Sequence, residues 1–205
     1  LFDTAPELSF ATNQMLKDLD LQELESDIIK GFIGRGADNL IRKSILYSSQ
    51  KDSEVLFKEA KKLFDKYYLL NAAQSLPYDG VEEALIELKN KKLSLACVTN
   101  KPEIFTNTIL EKSGLVSYLD LVVSGDTVNR KKPDPMPLQY SCDKLELKPK
   151  QAIMVGDSCN DIDAGFSAGT YVVTVPYGYQ YGQSIKSDKV DLAIKNLNDL
   201  VAIIN

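Results

Sequence analysis

The sequence contains no histidine. A Ser-His or Cys-His nucleophile pair and a histidine-bound metal centre are therefore excluded. Cysteine is scarce, because only Cys97, Cys142 and Cys159 occur, and they form no CxxC pair. This odd number argues against a disulfide framework or a zinc site, and it predicts a reducing, cytoplasmic location.

Long apolar runs and an excess of positive charge are also absent. No stretch approaches the roughly 18 apolar residues that a membrane-spanning helix needs. The formal net charge is −5, which argues against a broad surface for nucleic acid or anionic lipid. We therefore expect no nucleic-acid and no membrane partner, whereas a small anionic substrate would need only a few local cations. A monomer and a homodimer both remain open.

The hydrophobic pattern changes near residue 76. Before it, apolar residues recur at helical spacing around a glycine-rich turn at residues 31–36. After it, short apolar runs alternate with amphipathic helices, which predicts a parallel sheet covered on both faces. The predicted strands are residues 93–98, 119–123, 152–155, 171–175 and 192–194. We expect an α/β core over residues 76–205, a helical module over residues 5–75 and a remnant of the core at residues 1–4.

Thr99 and Asn100 directly follow the first of these strands. In parallel sheets, ligands bind beyond the carboxyl ends of the strands. The hydroxyl and amide groups of these residues can donate hydrogen bonds to phosphate oxygens. The alternative is that both residues cap the helix that begins near Pro102.

A basic turn, Arg130-Lys131-Lys132-Pro133-Asp134-Pro135, follows the second strand. Its prolines restrict the backbone, so a lysine here can neutralise phosphate charge without losing much side-chain freedom. The alternative is an ordinary solvated basic loop.

Two aspartates follow the third strand, in the segment Gly156-Asp157-Ser158-Cys159-Asn160-Asp161. Asp157 stands at the strand end, and Asp161 lies one turn further on in the next helix. Mg²⁺ binds carboxylate and water oxygens, commonly with one or two protein carboxylates. The alternative is a helix N-terminus that carries acids because the helix dipole favours them.

The order of these three strand ends resembles the second, third and fourth motifs of haloacid dehalogenase-type phosphatases. The resemblance covers nearly the whole chain. The opening Leu1-Phe2-Asp3-Thr4 resembles the residues directly after the family's first motif, Asp-x-Asp-Gly-Thr. The segments 125–135 and 177–182 look like the phosphoglycolate phosphatase branch. The resemblance implies a Rossmann-like parallel sheet core with a small α-helical cap.

In this family an aspartate of the first motif attacks phosphorus and becomes an aspartyl-phosphate. The resemblance implies that Thr99 and Asn100 bind the phosphoryl group. Lys132, with Lys131 as a substitute, would neutralise its charge. Asp157 would ligate Mg²⁺, with Asp161 as a second or water-mediated ligand. Arg35 of the cap would reach a substrate carboxylate, and its alternative is a solvated arginine in a turn.

The sequence departs from the family in one respect, because it contains no Asp-x-Asp-Gly-Thr. In the family fold this motif ends the central strand, so its loss would leave two neighbouring strands with unpaired edges. We expect a longer native polypeptide, and we expect these residues alone to be inactive as a phosphatase.

The implied reaction is Mg²⁺-dependent hydrolysis of a small phosphorylated substrate, with 2-phosphoglycolate first. A nucleotide, a sugar phosphate or pyrophosphate is the alternative substrate. A non-catalytic binding module of the same fold is the alternative if the nucleophile motif is absent from the native protein.

Overall fold

The computed structural model describes residues 1–34, 36–50, 53–71, 74–178 and 187–204. The chain divides into two compact units. A helical unit spans Phe2–Leu76, and an α/β unit comprises Leu1 and Pro77–Asn205. Within the described ranges, no helix has both the length and the apolar character needed to cross a membrane.

The helical unit consists mainly of α-helices that follow a short strand. Its elements are β1 (Phe2–Asp3), α1 (Ala5–Asp18), α2 (Ser26–Lys30), α3 (Ala37–Ser49) and α4 (Glu54–Asn71). Helices α1 and α4 pack most extensively against each other. The rings of Phe64 and Tyr68 stack at 5.7 Å, and both side chains are almost fully buried. Ala60 and Phe64 of the predicted apolar stripe are buried in this core, whereas Tyr68 takes the buried position for which the spacing predicted Tyr67.

The α/β unit alternates strands and helices along the chain. Strand β2 (Leu76–Pro77) spans the boundary at which the helical unit ends, and it pairs with β1. The elements that follow it are α5 (Val81–Asn90), β3 (Ala96–Val98), α6 (Glu103–Ser113), β4 (Leu121–Val123), α7 (Met136–Lys144), β5 (Ile153–Gly156), α8 (Cys159–Ala168), β6 (Tyr171–Thr174), β7 (Leu192–Ala193) and α9 (Leu197–Ile203).

The other strands pair in parallel. Strand β3 pairs with β4, with Val98 opposite Val123. Strands β5, β6 and β7 form a second sheet in that order, with Gly156 opposite Thr174. Because the strands run in parallel, their carboxyl ends lie on one edge of each sheet. The predicted α/β fold with parallel strands is confirmed.

A shared apolar cluster ties β3 to β5. Buried Leu138, Met154, Ala164 and Ala168 form this cluster, and Val98 packs against it. The cluster contains residues of α7, β5 and α8, so helices cover the strands as the continuous apolar runs predicted. It also brings the carboxyl ends of β3 and β5 to one region of the unit.

Candidate active site

Lys132 is the one lysine among the buried residues of the described chain, with 8% of its surface exposed. Its neighbour Lys131 is exposed. The Lys132 ammonium donates a hydrogen bond to the carbonyl oxygen of Val98, at the end of β3. Its Nζ also lies 2.7 Å from Oδ1 of Asp161 in α8. One buried cation therefore joins the end of β3 to the helix that follows β5, a strand of the other sheet.

The backbone of Lys132 is held by the side chain of Asn100. The Asn100 Nδ2 group donates to the Lys132 carbonyl at 2.8 Å. The Lys132 N–H donates to Asn100 Oδ1 at 2.9 Å. Asn100, which the sequence predicted to bind phosphoryl oxygens, is thus in direct contact with the other predicted phosphoryl-binding residue.

The turn around Lys132 is braced by Asp134. Arg130 Nη1 donates to Asp134 Oδ2 at 3.0 Å, and the Met136 N–H donates to Asp134 Oδ1 at 2.9 Å. These two hydrogen bonds, from Met136 first and Arg130 second, lower the pKa of Asp134. The peptide bond between Lys132 and Pro133 is cis. The predicted basic loop is therefore an ordered turn that directs one lysine inward.

Both carboxylate oxygens of Asp161 are engaged. Oδ1 faces Lys132, and Oδ2 accepts hydrogen bonds from Ser158 Oγ at 2.6 Å, from Ser158 N at 3.2 Å and from Asp157 N at 3.3 Å. Burial alone raises the pKa of Asp161, but the Lys132 charge and these hydrogen bonds outweigh it and lower the pKa. A Cβ at Gly156 would overlap the Asp161 side chain, so glycine is needed there.

Asp157 lies half-buried at the end of β5, with the backbone of Gly178 directly against its carboxylate. Gly178 has φ +112°, and a Cβ at this position would overlap Asp157 Oδ2. The adjacent Tyr177 lies close enough that burial first, and the Asp157 charge second, raise the pKa of its hydroxyl. The sequence predicted no site role for this segment. Its glycines were the only available signal, and residues 179–186 lie outside the described part of the chain.

Thr99 follows β3 directly and lies between two residues that contact Lys132, namely Val98 and Asn100. Its N–H donates to the Val123 carbonyl at 2.9 Å, which extends the strand pairing by one residue. Its Oγ1 accepts a hydrogen bond from the Lys101 N–H at 3.1 Å. The hydroxyl therefore stabilises the turn that leaves the strand, at the strand end where the sequence predicted a phosphoryl site.

The N-terminus of α6 is capped by a residue from another loop. The Glu103 N–H donates to Asp126 Oδ1 at 2.8 Å. The adjacent Gly125 packs on the Asn100 carbonyl so closely that a Cβ there would overlap it. Asn100 therefore does not cap α6, because its side chain forms hydrogen bonds with the backbone of Lys132. Sequence reasoning missed Asp126, since the loop and the helix are distant along the chain.

The donor set at this edge suits a hard cation with few protein ligands. Within the described ranges, no three His, Cys, Asp or Glu side chains cluster as a metal site. Mg²⁺ commonly takes one or two protein carboxylates together with water and a substrate phosphate. Asp157 fits as an inner ligand. Asp161 already has partners for both oxygens and fits an outer position, next to the Asp157 N–H.

The structure thus brings Thr99, Asn100, Lys132, Asp157 and Asp161 to one edge of the α/β unit. Hydrogen bonds to Lys132 and its ion pair with Asp161 connect the strand ends that carry these residues. The remaining predicted site residue, Arg35, lies outside the described residues. Which of these groups act in catalysis stays a prediction.

Comparison with known proteins gives one consistent family. A model of haloacid dehalogenase-like hydrolases matches residues 1–175. The phosphoglycolate phosphatase of Nitrosospira multiformis is 39% identical over 207 residues, covering 100% of this chain and 91% of the relative. That of Thiobacillus denitrificans is 34% identical over 208 residues, with the same coverage of both chains. These matches confirm the resemblance drawn from the strand-end motifs.

Solved structures agree with this result. A predicted phosphoglycolate phosphatase from Haemophilus somnus superposes with a TM-score of 0.94 at 35% identity, covering 100% of this chain and 93% of that one. CbbY from Rhodobacter sphaeroides in complex with phosphate reaches a TM-score of 0.81 at 18% identity, over 98% of this chain and 91% of that one. The second similarity concerns the fold alone.

Proposed function

Because this chain belongs to the haloacid dehalogenase-like hydrolase family and is a phosphoric monoester hydrolase, we propose that it converts 2-phosphoglycolate to glycolate and phosphate. The relatives of 34–39% identity that carry the name phosphoglycolate phosphatase support this substrate. The observation that carries the proposed chemistry is the buried Lys132, whose ammonium contacts Val98 at the end of β3 and Asp161 after the end of β5.

In this proposal Lys132 stabilises the charge that develops on the transferring phosphoryl group. A cation held in a buried site acts more strongly there than it would in water. Val98 and Asp161 fix the ammonium, so the charge needs little reorganisation during the reaction. The Thr99 hydroxyl supplies a neutral hydrogen bond to the phosphoryl oxygens.

Mg²⁺ is the proposed cofactor, and Asp157 is its proposed ligand in this chain. When bound, the ion would supply charge stabilisation for the phosphoryl group. The Gly178 backbone lies so close to the Asp157 carboxylate that a Cβ at position 178 would overlap it. Asp161 orients the start of α8 through Ser158 and the Asp157 N–H.

The proposed nucleophile is an aspartate of the family's first motif. Every activity experiment uses the complete encoded polypeptide.

The proposed setting is a reducing cytoplasm with a small phosphorylated substrate as partner. The three cysteines are free thiols, which supports this setting. The contribution of the helical unit to substrate choice, including that of Arg35, stays a prediction.

A substrate panel tests the proposed substrate. Purified protein is assayed with Mg²⁺ on 2-phosphoglycolate, a nucleotide monophosphate, a sugar phosphate and pyrophosphate, and kcat/KM is compared. We expect 2-phosphoglycolate to lead by at least about tenfold, because hydrogen-bonded recognition of a small anion discriminates strongly against other shapes. Equal or lower kcat/KM on 2-phosphoglycolate would contradict the proposal.

Asp157→Asn tests the metal assignment. The amide keeps the size of the side chain but loses its charge, so we expect Mg²⁺-dependent turnover to fall at least about a hundredfold, with the fold intact. Asp163→Asn in the following helix α8 is the control, since Asp163 pairs with the partly exposed Lys189 at 2.6 Å. Mg²⁺ titration followed by calorimetry gives a second readout. Unchanged Mg²⁺ affinity in Asp157→Asn would remove the assignment.

A further inference from the structure

Asn100 spans the backbone of Lys132, and we propose that it is a positioning residue for this lysine. The inference rests on the proposed function, because it takes Lys132 as the cation that stabilises phosphoryl charge. The Asn100 Nδ2 group donates to the Lys132 carbonyl at 2.8 Å, and its Oδ1 accepts from the Lys132 N–H at 2.9 Å. The two bonds run in opposite directions, so a single side chain satisfies both backbone groups of one residue.

This pairing uses the atoms that a substrate contact would need. An asparagine amide offers one oxygen and two N–H donors. The oxygen and one N–H are bound to Lys132, so the side chain retains at most one donor for anything else. We therefore assign Asn100 to the placement of Lys132, while the Thr99 hydroxyl contacts the phosphoryl group.

The end of β3 consequently holds Lys132 at both ends of its side chain. Asn100 fixes the backbone, and the Val98 carbonyl accepts a hydrogen bond from the ammonium. Thr99 lies between these two residues. The hydroxyl and the cation are thus held by the same three-residue segment, and their relative placement does not depend on the flexible stem of the lysine.

Gly125 supports Asn100 from the neighbouring strand end. Its backbone approaches the Asn100 carbonyl too closely for any Cβ, and its N–H donates to the Lys101 carbonyl at 2.7 Å. Because backbone groups of β4's loop pack against this turn, Asn100 has little room to move. The constraint on Lys132 is therefore transmitted from β4 through Asn100.

The helical unit supplies a matched control in the same chemistry. Asn13 Nδ2 donates to the Leu24 carbonyl and the Leu24 N–H donates to Asn13 Oδ1, both at 2.9 Å. Asn13→Ala therefore removes the same two hydrogen bonds as Asn100→Ala, from a residue that holds no group of the proposed site. The two variants should lose similar stability, and only the second should lose catalysis.

The experiment compares Asn100→Ala, Asn100→Asp and Asn13→Ala with p-nitrophenyl phosphate as substrate, together with thermal melting. This generic ester makes the outcome independent of the natural substrate. We expect kcat of Asn100→Ala to fall about ten- to a hundredfold, since a misplacement of about 1 Å can cost that much. The KM should change less than kcat, because the lost interaction belongs to the transition state. Asn13→Ala should keep kcat within about twofold.

Asn100→Asp keeps the acceptor for the Lys132 N–H and loses the donor to its carbonyl. We expect an intermediate loss of kcat, and this variant carries the test if Asn100→Ala does not fold. A cycle with Lys132→Ala separates positioning from direct contact. If Asn100 acts through Lys132, its substitution adds less than about threefold to the loss in Lys132→Ala.

Two results would overturn the inference. The first would be that Asn100→Ala and Asn100→Asp both have the same kcat as Asn13→Ala. The other is a full multiplicative loss in the Lys132→Ala background, which would make Asn100 a substrate ligand. If the wild-type protein hydrolysed no phosphomonoester, the proposed function itself would fail, and this result is distinct from both.

Discussion

The two ends of the parallel strands each carry a lysine–aspartate ion pair, and the pairs differ in their surroundings. At the carboxyl ends, Lys132 and Asp161 lie 2.7 Å apart with side chains 8% and 9% exposed. At the amino ends, Lys89 and Asp120 lie 2.8 Å apart with side chains 34% and 37% exposed. Both aspartates also accept backbone N–H groups, from Ser158 in the first pair and from Leu95 in the second.

The difference is informative because exposed and buried pairs have different energetic roles. An exposed pair contributes about 0–1 kcal/mol and is screened by salt. A buried pair must first repay the desolvation of two charges, so an apolar pair of the same size is often as stable. The amino-end pair therefore orders two strand starts at little cost. The carboxyl-end pair is better explained by the chemistry that a buried cation permits than by stability.

Of the substitutions that test this comparison, Lys132→Met should cause the largest loss of stability and activity. It leaves the buried Asp161 carboxylate without its cation, so we expect a loss of about 3–5 kcal/mol in unfolding free energy and loss of phosphatase activity. Urea unfolding measures the change in unfolding free energy, and turnover of 2-phosphoglycolate measures the change in activity. The exposed neighbour gives the control, since Lys131→Met should change stability by less than about 0.5 kcal/mol.

Adding Asp161→Asn to Lys132→Met sharpens the same comparison. The amide removes the second charge, and its oxygen can still accept the hydrogen bonds from Ser158. The double variant should therefore recover part of the lost stability without recovering activity. If the double variant regained turnover, the catalytic assignment of Lys132 would be wrong.

Gly178→Ala should come next in size, because it disturbs one carboxylate and leaves the buried pair in place. An added Cβ would overlap Asp157 Oδ2, so we expect Mg²⁺-dependent turnover to drop about tenfold or more. Gly114→Ala is the matched control: φ there is +76°, but no described atom lies within 4 Å of its Cβ. Each variant bears a backbone cost of about 1–2 kcal/mol. Equal activity in the two would refute a role for Gly178 in placing Asp157.

The strand-end residues could be predicted from sequence because they depend on local pattern. Apolar runs followed by Thr99 and by Asp157 identify strand ends, and parallel strands bring such ends together. The predicted strand at residues 93–98 is shorter in the structure, where pairing begins at Ala96. The Leu95 N–H instead donates to the Asp120 carboxylate at 2.8 Å.

The partners of these residues could not be predicted, since they depend on contacts between distant loops. Nothing near Asn100 in sequence indicates that its amide binds the Lys132 backbone. Local sequence likewise does not indicate that Gly178 packs against Asp157, or that Asp126 accepts a hydrogen bond from the start of α6. Residue types and strand ends are local properties, whereas hydrogen-bond geometry depends on how the loops pack.

Asp120→Asn should have the smallest effect, and it tests the other side of the comparison. The hydrogen bond from Lys89, followed by that from the Leu95 N–H, lowers the pKa of Asp120. A lowered folded-state pKa means that the stabilisation is complete above the unfolded value of about 4 and is lost as the pH falls through the folded value. At pH 7 we expect a loss below about 1 kcal/mol, with unchanged turnover.

The pH and salt dependence of Asp120→Asn decide its interpretation. The difference in unfolding free energy between wild type and variant should begin to shrink as the pH falls below about 4. It should vanish only below the lowered folded-state pKa of Asp120, where the aspartate is neutral in the folded state too. The difference should also shrink in about 1 M NaCl, where exposed charges are screened. Urea unfolding at pH 7, pH 5 and pH 3, and at pH 7 with added salt, measures both trends. A loss that was undiminished in high salt would mean that the amino-end pair behaves like a buried pair, and the contrast between the two strand ends would not hold.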